Sequence, residues 1–309
     1  MELRSYGDVS VVNPQRRSLA ERLKRLRSRW MMWMLLIPVA GWMIVFFAFP
    51  QLLMLFISFM SQGVYGGIAY RFTLDNYIQM FSPVFLNVIW TSVEFSFVVT
   101  VLCLAVAYPF AYAVVTASPR RRMFLLFLVI IPFWTSQLIR TFALMFLINT
   151  SGLLNTLLLQ LHVISQPLNL LYTPFAVYLG QFYAMLPYMI LPLYASLQSH
   201  LESPEFLEAA QDLGASPAQA FWKITLPLTT SGIAVGSMLV FIPTLATFFI
   251  PLLMGGGKME MVGNFIGNQF LSSDNWPFGA SASVGVIAIT LVLIALMFRF
   301  MKNAFLGES

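Results

Sequence analysis

The sequence predicts an all-α integral membrane protein with six transmembrane helices and both termini in the cytoplasm. Composition is the first of three observations behind this. Of 309 residues, 59% are hydrophobic and only 9% carry a charge, whereas about a quarter of a soluble domain is charged. The second is six apolar runs, at roughly 31–60, 88–116, 123–149, 174–197, 226–253 and 281–300, each near the ~20 residues a bilayer span needs. The third is the placement of Lys and Arg. The segment before the first run, the loops on its side and the C-terminal end with Arg299 and Lys302 hold fourteen, against two (Arg71 and Lys258) on the other side. The positive-inside rule assigns the richer side to the cytoplasm. The net charge of +5 therefore reflects membrane orientation and gives no reason to expect a nucleic-acid partner.

Residues 1–30 read as a basic cytoplasmic segment. Within it "SLAERLKRLRSR" (18–29) has Ser18 and Glu21 in capping-box spacing and Leu19, Leu23 and Leu26 on one face, which predicts an amphipathic helix lying on membrane lipid. Residues 31–309 read as the transmembrane domain, with a cytoplasmic loop at 202–227. The first run is too long for a signal-peptide core and is expected to be retained. The lone Cys103 lies in an apolar run and reads as a core residue. Prolines at 38, 50, 109, 132, 187, 192, 243 and 251 each remove a helical hydrogen bond and are expected to kink or break the spans. Such breaks survive in a membrane where protein or a polar path satisfies the backbone, as in a transporter.

Two charges fall inside spans, Glu94 in "NVIWTSVEFSF" and Arg140 in "PFWTSQLIRTF". A charge at membrane depth must face a cavity or a partner. Glu94 has two readings, a residue at headgroup level or a carboxylate that draws a cation along the substrate path. Arg140 reads as a structural charge held by carbonyls or a carboxylate, and the two charges could pair with each other. Trp134, Tyr183, Tyr188 and Trp276, near span ends or prolines, belong to interfacial belts or line the path of a cationic ligand through their ring faces.

No catalytic set and no metal site is expected. "GGGK" at 255–258 lacks the first Gly of a phosphate loop (Leu252 stands there) and its Ser or Thr (Met259 follows), and no strand precedes it. His162 and His200 are far apart and have no metal-ligand spacing.

The stretch "SPEFLEAAQDLGASPAQAFWKITLPL" (203–228) looks soluble between two apolar runs. Ser203-Pro204 starts a helix, Gly214 ends it in a left-handed turn, and Ser216-Pro217 starts a second helix leading into the fifth run. Ala209 and Ala210 allow a close neighbour, and Phe206, Leu207 and Leu213 form an apolar ridge. The elbow reads as a docking surface.

Here Glu208, Ala209, Ala210, Gly214, Ile224, Leu226 and Pro227 resemble, in identity and spacing, the EAA loop of ATP-binding-cassette (ABC) importer permeases. The strings "FTLDNYIQMF" (72–81), "YPFAY" (108–112), "IPFWTSQLIRTFAL" (131–144) and "WPFGA" (276–280) resemble the spermidine/putrescine permeases of that family, over nearly the whole chain after the basic N-terminus. The resemblance implies the type I ABC importer permease (MetI-like) fold in the bacterial inner membrane. It implies ATPase coupling through the seven loop residues, with Glu208 orienting the elbow and Gly214 permitting its turn. The implied partners are an ABC ATPase dimer, a second and related permease, and a periplasmic substrate-binding protein. No cofactor is expected in this chain, ATP and Mg being bound by the ATPase, and the chain is not expected to be an enzyme. Two other readings stand beside the polyamine one. The first is the same machine carrying an opine, organic amine or aminophosphonate. The second is an ion-coupled secondary carrier, which would leave the loop unexplained.

Overall fold

The computed structural model describes residue 30, residues 34–201, residue 212 and residues 214–306. The expected amphipathic helix at 18–29, and Glu208, Ala209 and Ala210, lie outside them. The chain divides into two compact units, Met1–Phe56 and Ile57–Ser309.

In the first unit the described residues enter a single span, α1 (Met34–Ile57). A π turn at Ile44–Ala48 interrupts it, in which the Phe49 N–H bonds the Ile44 carbonyl. The turn ends two residues before Pro50 and holds the carbonyl of Phe46, four residues back from it. A proline ring collides with the carbonyl four residues back, and one wide turn makes room for it without ending the helix.

The second unit begins with a short antiparallel hairpin, β1 (Met60–Gln62) and β2 (Ile68–Phe72), followed by α2 (Asp75–Gln79). Buried Asn76 ties them together, its amide donating to the carbonyls of Ser58 at 2.9 Å and Met60 at 2.7 Å. Then come α3 (Pro83–Thr116), α4 (Pro119–Ile130), α5 (Gln137–Ile148), α6 (Leu153–Gln160) and α7 (Pro174–Leu201). After the elbow come α8 (Pro217–Leu228), α9 (Thr230–Leu245), α10 (Phe249–Met254), α11 (Val262–Leu271) and α12 (Trp276–Leu306).

The core is the packing of α3, α7 and α9. It is filled by Phe95, Val99, Met189, Leu193 and Val240, with Cys103 among them as expected. Small residues set the closeness of α7 and α9. A Cβ on Gly232 would stand 2.5 Å from the Ser196 Cβ, and one on Gly236 would stand 2.7 Å from the Met189 sulfur. In lipid, helices gain no hydrophobic drive from associating, so such close approach is the main source of contact energy. A second cluster, Phe85, Phe265 and Phe278, joins the N-terminal ends of α3, α11 and α12 with ring centroids 5.4–6.0 Å apart.

Among the described residues five helices are long and apolar enough to cross a membrane. A sixth span is formed if α8 and α9, bent by 59° at Thr229, count as one. Two expected runs are not continuous. The run at 123–149 is broken by a 3-10 turn at Ile131–Trp134, centred on Pro132. The run at 226–253 is bent at Thr229 and broken again between α9 and α10. Pro109, Pro187, Pro192 and Pro243 break no helix, since all sit inside continuous ones.

Candidate functional site

The elbow is the first candidate. Gly214 takes φ +82°, and among the described residues nothing beyond its chain neighbours lies within 4 Å of where its Cβ would be. Its need for glycine is thus conformational: the left-handed region costs an L-residue about 1–2 kcal/mol. Two residues on, Ser216 and Gln219 form a reciprocal capping box, with Pro217 at the first position of α8. The start expected from Ser216-Pro217 is therefore present.

From there α8 reaches the transmembrane core. Ala220 is buried, and the Phe221 ring meets Tyr108 and Tyr112 of α3 edge-on, at 5.8 Å and 6.0 Å. Leu226 packs on the main core and Ile224 is half-buried. A π turn at Phe221–Thr225 precedes Pro227, as one precedes Pro50. Hydroxyls close the bend beyond it. Thr229 Oγ1 donates to the Thr225 carbonyl at 2.9 Å and lies 2.9 Å from the Tyr108 hydroxyl, while Thr230 donates to the Pro227 carbonyl at 2.7 Å. The end of the elbow is thus fastened to α3 by rings and a buried hydroxyl pair, and it continues into α9.

At the far end of α9, Gln181 of α7 is fully buried. Its amide N–H donates to Thr244 Oγ1 at 3.1 Å, and its carbonyl accepts from Thr247 Oγ1 at 3.1 Å. A buried amide in an apolar bundle is stable only when so satisfied. On α3, Ser92, Ser96 and Thr100 form a buried stripe. Each donates to the carbonyl four residues back at 2.6–2.8 Å, and Ser92 also accepts the Val262 N–H at 2.8 Å. None of these polar residues figures in the sequence-derived path. Their signals are the four-residue spacing of Ser92, Ser96 and Thr100, and the Gly232-x-x-x-Gly236 repeat.

The sequence-derived path residues fall into three places. Trp134, Tyr183 and Tyr188 gather where α4 passes into α5. Trp134 is 80% exposed, the Tyr188 ring meets Phe133 edge-on at 5.0 Å, and Tyr183 shares a groove with Arg140. Glu94 is exposed on α3, in electrostatic reach of Tyr178, whose ring packs on Phe95 at 4.7 Å. Trp276 stands apart. Its indole N–H donates to Asp274 at 2.9 Å and its ring meets Phe270 edge-on. Arg140 and Glu94 do not pair: Arg140 Nε is buried without a hydrogen-bond partner.

A helical bundle with broken spans, small-residue packing and an elbow fastened to its core defines a transport permease, and likeness to known proteins agrees. Residues 107–304 match the family model "Binding-protein-dependent transport system inner membrane component", and the chain belongs to that family. It is therefore a multi-pass inner-membrane component of a binding-protein-dependent transport system. Among curated relatives, the chain is 40% identical over 264 residues to the spermidine/putrescine transport system permease protein PotB of Haemophilus influenzae, covering 85% of this chain and 92% of that one. It is 39% identical to PotB of Escherichia coli K12, covering 86% and 96%. The sn-glycerol-3-phosphate permease UgpA of Escherichia coli UTI89 is 27% identical, covering 90% and 96%. Among solved structures, a bacterial ABC transporter that imports the acidic polysaccharide alginate matches with TM-score 0.75 at 18% identity, covering 92% of this chain and 99% of that one. At that identity the likeness concerns the fold.

Proposed function

We propose that the chain is the permease subunit of an ABC importer that moves a polyamine, spermidine or putrescine, into the cell. The single observation that carries the substrate is the 40% identity to a spermidine/putrescine permease along 92% of that protein. The termini and the elbow lie in the cytoplasm, on the side rich in Lys and Arg. An ABC ATPase dimer docks on the elbow and binds ATP and Mg. A second, related permease completes the pathway, and a periplasmic substrate-binding protein delivers the solute. The chain itself performs no catalysis.

Coupling runs through residues of this chain. Glu208, Ala209 and Ala210 present the docking helix, and Gly214 sets the angle between it and α8. Displacement of α8 is carried into α9 because Phe221 and Thr229 hold its end against α3. The glycines of α9 then transmit it to α7 as movement of one rigid surface on another. Ligand-driven switching needs only that the ATP-bound ATPase prefers one arrangement of the elbow. Glu94 is the carboxylate along the path, with Trp134, Tyr183 and Tyr188 as ring faces for a cation. The bond from Trp276 to Asp274 favours a structural role for that indole.

The test is uptake of labelled spermidine and putrescine in proteoliposomes holding this chain with its neighbouring-gene partners, with and without internal ATP and binding protein. Uptake that requires both is expected. ATPase activity that responds to the binding protein without polyamine movement would retain the machine and reject the solute.

A further inference from the structure

The proposed path gives Glu94 a task, whereas Arg140, expected to be a structural charge, has no partner for one among the described residues. It lies one turn into α5, just after the break at Ile131–Trp134. It lines a groove with Pro132, Thr135, Ile139, Ala143 and Tyr183. The walls are apolar apart from two hydroxyls. Arg140 Nε is buried and makes no hydrogen bond, and no described carboxylate reaches the guanidinium. The neighbouring side chains Ile139, Phe142 and Phe146 are exposed, so this face of α5 is open to whatever stands beside the chain.

A guanidinium carries five donors in a planar fork and stays protonated in proteins. Held at membrane depth without a counter-charge it is costly. A lipid tail cannot supply the missing acceptors. A headgroup is met by arginines that extend to the interface, whereas this Nε is buried beneath the groove. A polyamine cannot supply them either, since it is itself a cation and would be repelled. What fits the charge, the fork geometry and a groove open at the side of the chain is a carboxylate side chain from a neighbouring helix.

We propose that this groove is the contact with the partner permease, and that an Asp or Glu on one of the partner's spanning helices inserts there and pairs with Arg140. The inference rests on the proposed function for the presence of a second, related permease. Pairing also removes a positive charge from the neighbourhood of Tyr183 and Tyr188, which a cationic solute would otherwise avoid.

The experiment uses the whole complex. A photo-crosslinking amino acid is placed at Ala143, on the groove wall, and the adduct is identified by mass spectrometry. In parallel, Arg140→Gln and Arg140→Lys are compared for the amount of partner permease that co-purifies, normalised to the level of this chain. The expected adduct is a spanning peptide of the partner that contains Asp or Glu. Arg140→Gln is expected to lower the co-purified partner about tenfold, Arg140→Lys only two- to threefold, and Arg140→Glu with Lys at the captured carboxylate to restore it. Adducts confined to lipid, or a wild-type partner ratio in Arg140→Gln, would overturn the proposal. A wild-type complex that contains this permease twice and no other overturns both the pairing as stated and the heteromeric assembly. A complex that moves some other solute while the adduct stands upholds the pairing and rejects only the polyamine.

Discussion

Replacing Gly214 with valine separates a conformational role from a packing role. Among the described residues nothing lies within 4 Å of the Cβ site, and φ is +82°, so no described side chain obstructs valine. The penalty worked here is that of the left-handed backbone, about 1–2 kcal/mol, which β-branching raises. By the Boltzmann factor this shifts the turn toward other conformers about five- to thirtyfold. Because the residue is exposed, the transmembrane core should not register the change, and unfolding in mixed detergent is expected to stay within about 0.5 kcal/mol of wild type. Uptake should instead fall several-fold, while ATP hydrolysis loses its response to the binding protein. Gly214→Asn tolerates the left-handed region and should retain most transport. Wild-type uptake by Gly214→Val at equal protein level would refute the reasoning, because the turn would then not set the coupling angle.

Gly236→Val tests the opposite case: its Cβ would stand 2.7 Å from the Met189 sulfur, and overpacking of about 1–3 kcal/mol should appear as lower unfolding stability. Gln181→Ala and Thr247→Ala, joined in a double-mutant cycle, should give a coupling of about 0.6–1.7 kcal/mol, and independence of the two would show that their 3.1 Å bond contributes nothing. If Glu94 draws the solute, Glu94→Gln should reduce polyamine uptake well below Glu94→Asp, and equal uptake by Glu94→Gln and wild type would remove it from the path. Cys103, fully buried, should resist maleimide labelling in the folded protein and react after denaturation.

How legible the protein was in its sequence varied with the kind of force involved. The bilayer class, the approximate spans, the left-handed Gly214 and the helix start at Ser216 and Pro217 were all readable. Each depends on local chemistry: transfer of apolar side chains, the absence of a Cβ, a side-chain oxygen facing the first turn of a helix. The fate of the prolines was not readable. Pro132 breaks its span while Pro187 and Pro192 do not, because neighbouring helices decide whether a freed carbonyl finds another partner.

The same division holds at the site. The sequence alone carried the resemblance to the family's loop and the uneven spread of Lys and Arg along the chain, since both are written in residue identity and spacing. Only the tertiary structure placed Gln181 between Thr244 and Thr247, set Tyr108 against Thr229, separated Trp276 from the other aromatic residues, and left Arg140 with no carboxylate among the described residues. These pairings join residues 60 or more positions apart, or fail to. Chain spacing is silent about them, because they are decided when helices, already formed, choose which faces to bury against one another.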